Sequence, residues 1–246
     1  MSFSVVIPAR YASSRLPGKP LLDIAGKPML QHTYERALQS KAKSVTIATD
    51  DQRIKDVAES FGANVCMTSD QHISGTDRIQ EVCATLELDD SDIIVNVQAD
   101  EPLIPPSVID QVAENLVSQQ QAGIATLCEV ICSQDEIADP SSVKVVFDQQ
   151  GLALYFSRAT IPWQGSASAK NCYRHIGIYA YRVAILNQFI QWPASALEIQ
   201  EKLEQLRALD NGVRIHVALS AENIPPGVDT EKDLAQVRTH IQSGQT

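Results

Sequence analysis

The first half of the chain alternates short runs of apolar, mostly β-branched residues with segments of helical periodicity. The apolar runs have the length and composition of buried strands and span residues 3–8, 44–49, 64–67 and 92–98. The helical segments between them span residues 28–42, 51–61 and 76–86. Strands and helices in alternation are typical of a parallel sheet with helices on both faces. This half of the sequence therefore predicts an α/β fold of the doubly wound kind.

Local signals mark the ends of these helices. Pro28 suits the first turn of its helix, where the missing N–H costs nothing. Asp50 is predicted to cap the helix at 51–61, and Gly62 is predicted to end it. Apolar residues in this helix and in the next recur at spacings of three and four, so each helix has one face for the sheet.

The second half of the chain has more strands and fewer helices. Strands are predicted at residues 123–128, 142–147, 152–157, 176–181 and 213–219. The segment 148–151 reads as a hairpin turn between two of them. We interpret residues 1–246 as a single domain whose mostly parallel, mixed sheet carries a small α+β lobe at about 150–212.

One helix is predicted inside this lobe. Ser195 and Glu198 have the spacing of a capping box, which opens a helix running through Leu209. Its predicted buried stripe consists of Ile199, Leu203 and Leu206.

Composition and charge exclude several classes of protein. The chain has 246 residues, 44% of them hydrophobic, which is enough for a large core. Its formal net charge of −10 disfavours a surface for nucleic acid or for an anionic membrane. Without an 18-residue apolar run or an N-terminal signal pattern, a cytoplasmic location and no membrane contact are expected. The five cysteines form no CxxC pair and are predicted to be reduced thiols.

The loop after the first strand carries three cations, Arg10, Arg15 and Lys19. Ligands of open α/β sheets bind beyond the carboxyl ends of the strands, so these cations indicate an anion. Point charges and bidentate guanidinium contacts fit a triphosphate. The loop is not a Walker A motif, because Ser13 and Pro20 stand where that motif needs Gly and Ser or Thr. The alternative is that these residues are solvated loop charges.

Carboxylates follow the fourth strand and precede the last helix. Asp100 and Glu101 come two residues after the strand, beside Gln98, where magnesium could sit next to phosphates. Asp100 could instead be a turn residue before Pro102. Asp229 could likewise be only the N-cap of the final helix.

Further polar residues of the chain suit a sugar acid. Arginine side chains fit a carboxylate, and neutral or acidic polar groups fit hydroxyls. For each residue alone, a salt bridge or a surface role is a commoner use than ligand binding, and it is the repetition of one chemistry that favours a ligand. The residues are Arg78 and Arg158 for the carboxylate, and His175, Tyr179, Glu204 and Gln205 for the hydroxyls.

Taken in order, these stretches resemble the 3-deoxy-manno-octulosonate cytidylyltransferases. The resemblance runs from Val5 to the last helix and depends on the segments IPARYASSRLPGKPL, ATDD, HISGTDR, VNVQADEPLIPP, VKVVFD, ALYFSRATIPW, YRHIGIYAYR, LEIQEKLEQLRAL and PGVDT. It implies a Rossmann-like nucleotidyltransferase fold, a Mg²⁺ cofactor and a homodimer. It also implies the reaction of CTP with 3-deoxy-D-manno-octulosonate (Kdo) to give CMP-Kdo and diphosphate, for lipopolysaccharide biosynthesis. One departure is Ala99, where the family usually has Gly.

The resemblance also implies roles for individual residues. Nucleotide binding falls to Arg10, Ser14, Arg15, Lys19, Ser74, Arg78 and Gln98. Sugar binding falls to Arg78, Gln98, Arg158, His175, Tyr179, Glu204 and Gln205. The catalytic residues are Lys19, Asp100, Asp229 and Arg15, of which Asp100 and Asp229 are the magnesium ligands.

Two other functions remain compatible with the same residues. The opening loop and Asp100 would serve an enzyme that activates another sugar acid, such as 8-amino-Kdo or a sialic acid. A non-catalytic nucleotide-binding regulator on the same fold is the second alternative.

Overall fold

The computed structural model describes residues 2–12, 16–72, 74–164 and 171–243. Within these ranges the strands are β1 (Phe3–Ala9), β2 (Asp23–Ile24), β3 (Lys27–Pro28), β4 (Ser44–Thr49), β5 (Asn64–Met67), β6 (Ile93–Asn96), β7 (Ile124–Val130), β8 (Lys144–Phe147), β9 (Ala153–Ser157), β10 (Tyr173–Arg182) and β11 (Ile215–Leu219). The helices are α1 (Met29–Leu38), α2 (Gln52–Ser60), α3 (Gly75–Thr85), α4 (Pro106–Ser118), α5 (Gln134–Ala138), α6 (Val183–Phe189), α7 (Ala196–Glu201), α8 (Gln205–Asp210) and α9 (Glu231–Gln242), with a short 3₁₀ turn at Lys19–Leu21.

A mixed sheet forms the centre of the fold. In the described part of the chain its main path runs β11-β7-β10-β6-β1-β4-β5, and β8 and β9 extend it from β10. The pairs of β1 with β4 and β6, of β4 with β5 and of β7 with β11 are parallel. β10 runs antiparallel to β6 and β7. The predicted fold class, a mostly parallel mixed sheet with helices, is confirmed.

The core lies on both faces of this sheet. Val5 and Ile7 of β1 pack in one buried cluster, whereas Val6 packs in the other. Successive strand residues point to opposite faces, so both faces of β1 are covered. This explains why the strand reads as a continuous apolar run rather than as an alternating pattern.

The cap of α2 differs from the prediction. Asp51, not Asp50, is the N-cap, and its carboxylate accepts the backbone N–H of Arg53 at 2.9 Å. Asp50 instead lies at the end of β4 and accepts a hydrogen bond from Arg78 at 2.6 Å. The physical reason is register, because only the residue next to the first helical turn can reach its free N–H groups.

The prediction of one helix from Ser195 to Leu209 is wrong. The capping box of Ser195 is present, but the helix is interrupted at Lys202, which adopts a left-handed conformation with φ of 55°. The break separates α7 from α8 and rotates their faces relative to each other. Leu203 and Leu206 are buried as predicted, whereas Ile199 is 66% exposed.

Three helices, α4, α5 and α6, have no counterpart in the prediction. The longest, α4, buries Val108, Ile109 and Val112 at helical spacing against the sheet, so the periodic signal was present in the sequence. The hairpin at 148–151 is confirmed, with Gly151 at φ of +75°. No helix of the described residues is long and apolar enough to cross a membrane.

The substitution Gly62→Ala tests how much the left-handed backbone at the end of α2 depends on glycine. Its φ is +80°, and a Cβ added there would meet no atom within 4 Å. We therefore expect Gly62→Ala to lower the free energy of unfolding by about 1 kcal/mol through backbone strain alone. Gly177 has equal space and no left-handed φ, so Gly177→Ala is the matched control and should cost nothing. Urea denaturation measures both, and equal losses would contradict this explanation.

Candidate active site

The parallel strands bring the predicted site residues to one edge of the sheet. Arg10 follows β1, Asp50 follows β4 and Gln98 follows β6, and the three strands run in the same direction. A cavity of about 440 Å³ lies at this edge. The side chains that matter for its chemistry are those of Arg10, Lys19, Gln98, Asp100 and Asp229.

The loop after β1 folds back so that Lys19 reaches this cavity. Gly18 has φ of +66°, and its N–H donates to the carbonyl of Tyr11 at 3.1 Å. A Cβ at Gly18 would stand 3.1 Å from the Tyr11 ring, so this tight contact and the left-handed φ both favour glycine there. Ser14 and Arg15, which are predicted nucleotide contacts, lie outside the described residues.

Lys19 lies between the two predicted metal ligands. Its Nζ is 2.5 Å from the Asp100 carboxylate and 2.9 Å from that of Asp229. Burial alone would lower the pKa of Lys19, but the two carboxylates outweigh burial and the pKa is raised. Lys19 is therefore held as a cation in the cavity.

Asp229 is not the cap of the last helix. Thr230 is the N-cap of α9 and forms a capping box with Asp233, which leaves the Asp229 carboxylate to Lys19. The N–H of Val228 donates to the carbonyl of Asp100 at 2.8 Å. This backbone bond joins two segments that are far apart in sequence and places both carboxylates on the same side of the cavity.

Asp100 and Asp229 lie close enough to share one cation. Both carboxylates lie within 3 Å of one positive group, the Lys19 ammonium, so they converge on a single point. Within the described residues no group of three or more His, Cys, Asp or Glu could hold a metal ion. Two carboxylates completed by phosphate oxygens and water are the arrangement that magnesium prefers over an all-protein cage.

Ala99 fits the position at which the family usually has Gly. It is not among the residues with positive φ, so its methyl group causes no backbone strain. Its carbonyl accepts the hydroxyl of Thr33 at 3.2 Å. The turn that carries Asp100 is thus anchored to α1.

Arg10 and Arg78 occupy different environments. Arg10 lines the cavity and donates to the carbonyl of His72 at 2.9 Å, while burial and the nearby Arg78 lower its pKa. Arg78 is fully buried in α3, where its guanidinium bonds Asp50 and Thr68 at the ends of β4 and β5. The structure thus places Arg78 beneath the cavity and not among the residues that line it. Ser74 caps α3 and forms a capping box with Asp77.

Part of the predicted sugar-acid set lies together beside this cavity. β10 is antiparallel to β6, so its first residues extend past the carboxyl end of β6. Tyr179 from β10 and Glu204 and Gln205 from the start of α8 line one small pocket. The Nε2 of Gln205 is buried, with no hydrogen-bond partner among the described residues.

His175 lies next to this pocket as a neutral group. Its ring centroid is 5.3 Å from that of Tyr179, and its Nε2 is 3.0 Å from the hydroxyl of Thr126. Burial lowers the pKa of His175 to about 3. The imidazole can therefore exchange hydrogen bonds with hydroxyls at neutral pH but carries no charge for a carboxylate.

Arg158 lies away from this pocket. With Glu201 and Lys144 it forms a hydrogen-bonded cluster at the break between α7 and α8, here called the clamp. Its guanidinium donates to the carbonyls of Pro140 and Glu201 at 2.9 and 2.8 Å. The Glu201 carboxylate in return accepts the N–H of Arg158 and the hydroxyl of Ser157. The fully buried Lys144 completes the clamp, since its Nζ donates to the carbonyls of Arg158, Asp139 and Ser142 at 2.6–2.8 Å.

Three residues at this site were missed by the sequence analysis, namely Thr76, Asn96 and Tyr181. Tyr181 lines the small pocket with Tyr179, and its hydroxyl lies close to Thr76 and Asn96. Two signals were available. Tyr181 is two residues from Tyr179 in one strand, and Asn96 is a polar residue at the end of an apolar run.

A cationic loop and two converging carboxylates at the carboxyl edge of a mixed α/β sheet define the site of a nucleotidyltransferase. The family model described as "Cytidylyltransferase" matches residues 4–215. A 3-deoxy-manno-octulosonate cytidylyltransferase of Cellvibrio japonicus is 58% identical over all of both chains. That of Vibrio vulnificus (strain YJ016) is 56% identical over 98% of both chains.

Solved structures agree with these relatives. The structure of CMP:2-keto-3-deoxy-manno-octonic acid synthetase complexed with CTP superposes with a TM-score of 0.93, at 45% identity over 99% of both chains. A 4-diphosphocytidyl-2C-methyl-D-erythritol synthase shares the fold, with a TM-score of 0.66 and 13% identity over 98% of both chains. The chain belongs to the cytidylyltransferase family, and within it to the 3-deoxy-manno-octulosonate cytidylyltransferases. The predicted resemblance is confirmed.

Lys144 tests the clamp that supports the sugar side of the site. Lys144→Met keeps the aliphatic stem but leaves one buried and two part-buried carbonyls without their charged donor. We expect it to lower the free energy of unfolding by about 3 kcal/mol. Lys41→Met is the control, because the Lys41 side chain is 70% exposed and makes a surface ion pair with Glu114. Thermal unfolding compares the two, and a Lys144→Met variant as stable as the control would contradict a supporting role.

Proposed function

We propose that this chain transfers the cytidylyl group of CTP to the anomeric hydroxyl of Kdo, giving CMP-Kdo and diphosphate. The observation that carries the proposal is the convergence of Lys19, Asp100 and Asp229, from three distant parts of the chain, at one cavity. The names of the full-length relatives support CTP and Kdo as the substrates.

Charge complementarity explains how the nucleotide would be held. The chain is acidic overall, so a triphosphate is attracted only where cations are concentrated. Arg10 and Lys19 line the cavity and supply positive charge for the phosphates, with Arg15 proposed to complete the loop. We also propose Gln98, at the tip of β6, as a contact to the ribose or base.

Two carboxylates in the same cavity would repel a bare triphosphate. We propose that Asp100 and Asp229 hold Mg²⁺, which, when bound, neutralises phosphate charge and stabilises the charge that develops at the α-phosphate. Lys19 contacts both carboxylates in the structure and supplies a further positive charge beside them.

The sugar acid is proposed to bind on the β10 and α8 side. Tyr179, Glu204, Gln205 and the neutral His175 offer hydrogen bonds to its hydroxyls. Arg78 and Arg158 stay proposals for its carboxylate, although both are bonded to protein groups in the structure. Holding two reactants in line contributes on the order of 7–11 kcal/mol to such a reaction, so positioning is the main task of these residues.

The lobe at 150–212 is proposed to supply both the sugar side and the contact of a homodimer. Trp163, Leu154 and Ile199 are 90%, 64% and 66% exposed, and a dimer contact would cover such apolar side chains. A cytoplasmic location and a role in lipopolysaccharide biosynthesis complete the proposal. All five cysteines are free thiols, as expected in a reducing compartment.

A diphosphate-release assay tests the substrates. We expect release with CTP and Kdo, and little release when UTP or dTTP replaces CTP, or when 8-amino-Kdo or a sialic acid replaces Kdo. Faster turnover of another sugar acid would reassign the acceptor. CTP binding without turnover of any of them would favour a regulator.

Asp100 and Asp229 are tested by isosteric substitution. Asp100→Asn and Asp229→Asn should each lower kcat at least about 100-fold, because the charge that holds the metal is lost. Unfolding should change little, since the two side chains are 32% and 62% exposed. Asp56→Asn, on the exposed face of α2, is the control. Normal turnover by the Asp100 variant at saturating magnesium would overturn the metal assignment.

A further inference from the structure

Thr76 links the two sides of the site through its side chain. It is the second residue of α3, it is 3% exposed, and its hydroxyl donates to the carboxylate of Glu204. The two residues are 128 positions apart in the sequence. A hydrogen bond over this separation exists only because the fold brings α8 onto the first turn of α3.

The cap of α3 does not need this hydroxyl. Ser74 accepts the N–H of Asp77, and the Asp77 carboxylate accepts the N–H of Ser74, so the capping box is complete without Thr76. The hydroxyl of Thr76 is thus available to groups outside its own helix. It donates to Glu204, and the hydroxyl of Tyr181 lies close to Thr76.

Glu204 in turn depends on α3. Burial raises the pKa of its carboxyl, and the hydroxyls of Thr76 and Ser74 oppose that rise. A carboxylate that is largely enclosed needs donors to stay in place, and the positive end of a helix favours it further. Glu204 lies two residues after the break at Lys202 and immediately before a helix of only six residues, so its own backbone gives its side chain little support.

The hydrogen bond between Thr76 and Glu204 lies between the cavity and the small pocket. Gly75, next to Thr76, lines the cavity that contains Lys19 and Asp100. Glu204 lines the small pocket of Tyr179 and Tyr181. The first turn of α3 therefore touches both sides of the site. A shift of the Thr76 hydroxyl would move Glu204 without moving Lys19 or Asp100.

We propose that Thr76 is a positioning residue whose hydroxyl orients the Glu204 carboxylate toward the hydroxyls of the sugar acid. The inference rests on the proposed function, in which Glu204 contacts the sugar. Thr76 then sets the KM for the sugar acid and leaves the KM for CTP unchanged.

The test compares variants that remove or keep the hydroxyl. Thr76→Val keeps the shape and removes the donor, so we expect the KM for Kdo to rise about 10-fold and the KM for CTP to stay within about twofold. Thr76→Ser keeps the hydroxyl and should restore the KM for Kdo. Thr46→Val is the matched control, because Thr46 is also buried and lines neither cavity.

A double mutant separates this inference from the proposed function. Glu204→Gln should raise the KM for Kdo, and adding Thr76→Val should raise it no further, since both act on one contact. If Glu204→Gln changes the KM for Kdo and Thr76→Val does not, the role of Thr76 is overturned. If Glu204→Gln has no effect, the sugar assignment itself fails.

A purely structural role would give a different pattern. In that case Thr76→Val would lower Tm and leave both KM values unchanged, or raise them together, and Thr76→Ser would not restore the KM for Kdo. Should the valine variant fail to fold, Thr76→Ala removes the hydroxyl without adding bulk. The same rise in the KM for Kdo is then expected, and its absence overturns the proposal.

Discussion

The parallel pairing of β1 with β4 and β6 is the constraint on which the rest of the structure depends. Parallel strands end at the same edge, so residues that follow them in distant parts of the sequence become neighbours. Arg10, Asp50 and Gln98 lie at this edge for that reason alone. Both faces of the strands are covered by apolar side chains, which leaves the edge as the place for polar chemistry.

The positive and negative side chains at this edge compensate one another, although the chain as a whole is acidic. The chain has a formal charge of −10, yet its cavity contains Arg10 and Lys19 beside Asp100 and Asp229. Each carboxylate is compensated by the ammonium between them, because carboxylates brought close together without a cation repel each other. The same charge pattern suits a triphosphate with a divalent cation, in which negative and positive groups also alternate.

The sugar side depends on irregular backbone. The left-handed Lys202 ends α7, and the new direction of the chain turns Glu204 and Gln205 toward Tyr179. Arg158 and Lys144 hold this break through bonds to backbone carbonyls, and the Glu201 carboxylate accepts the backbone N–H of Arg158. Arginine and lysine thus serve two purposes here, as proposed ligand groups at the cavity and as hydrogen-bond donors that hold the break between α7 and α8.

The sequence alone determined the fold class and most strands to within a few residues, since these follow from local periodicity. It also pointed to the opening loop as a binding site, because the cations of that loop follow a strand. It also singled out Asp100 and Asp229, although it left Asp229 open as a helix cap. Tertiary structure decided that question, because Thr230 caps α9 and Asp229 meets Lys19. It also decided that Arg78 lies buried on Asp50, that the chain breaks at Lys202, and that Thr76 meets Glu204. These contacts join residues far apart in sequence, and no local pattern records which distant partner the packing will supply.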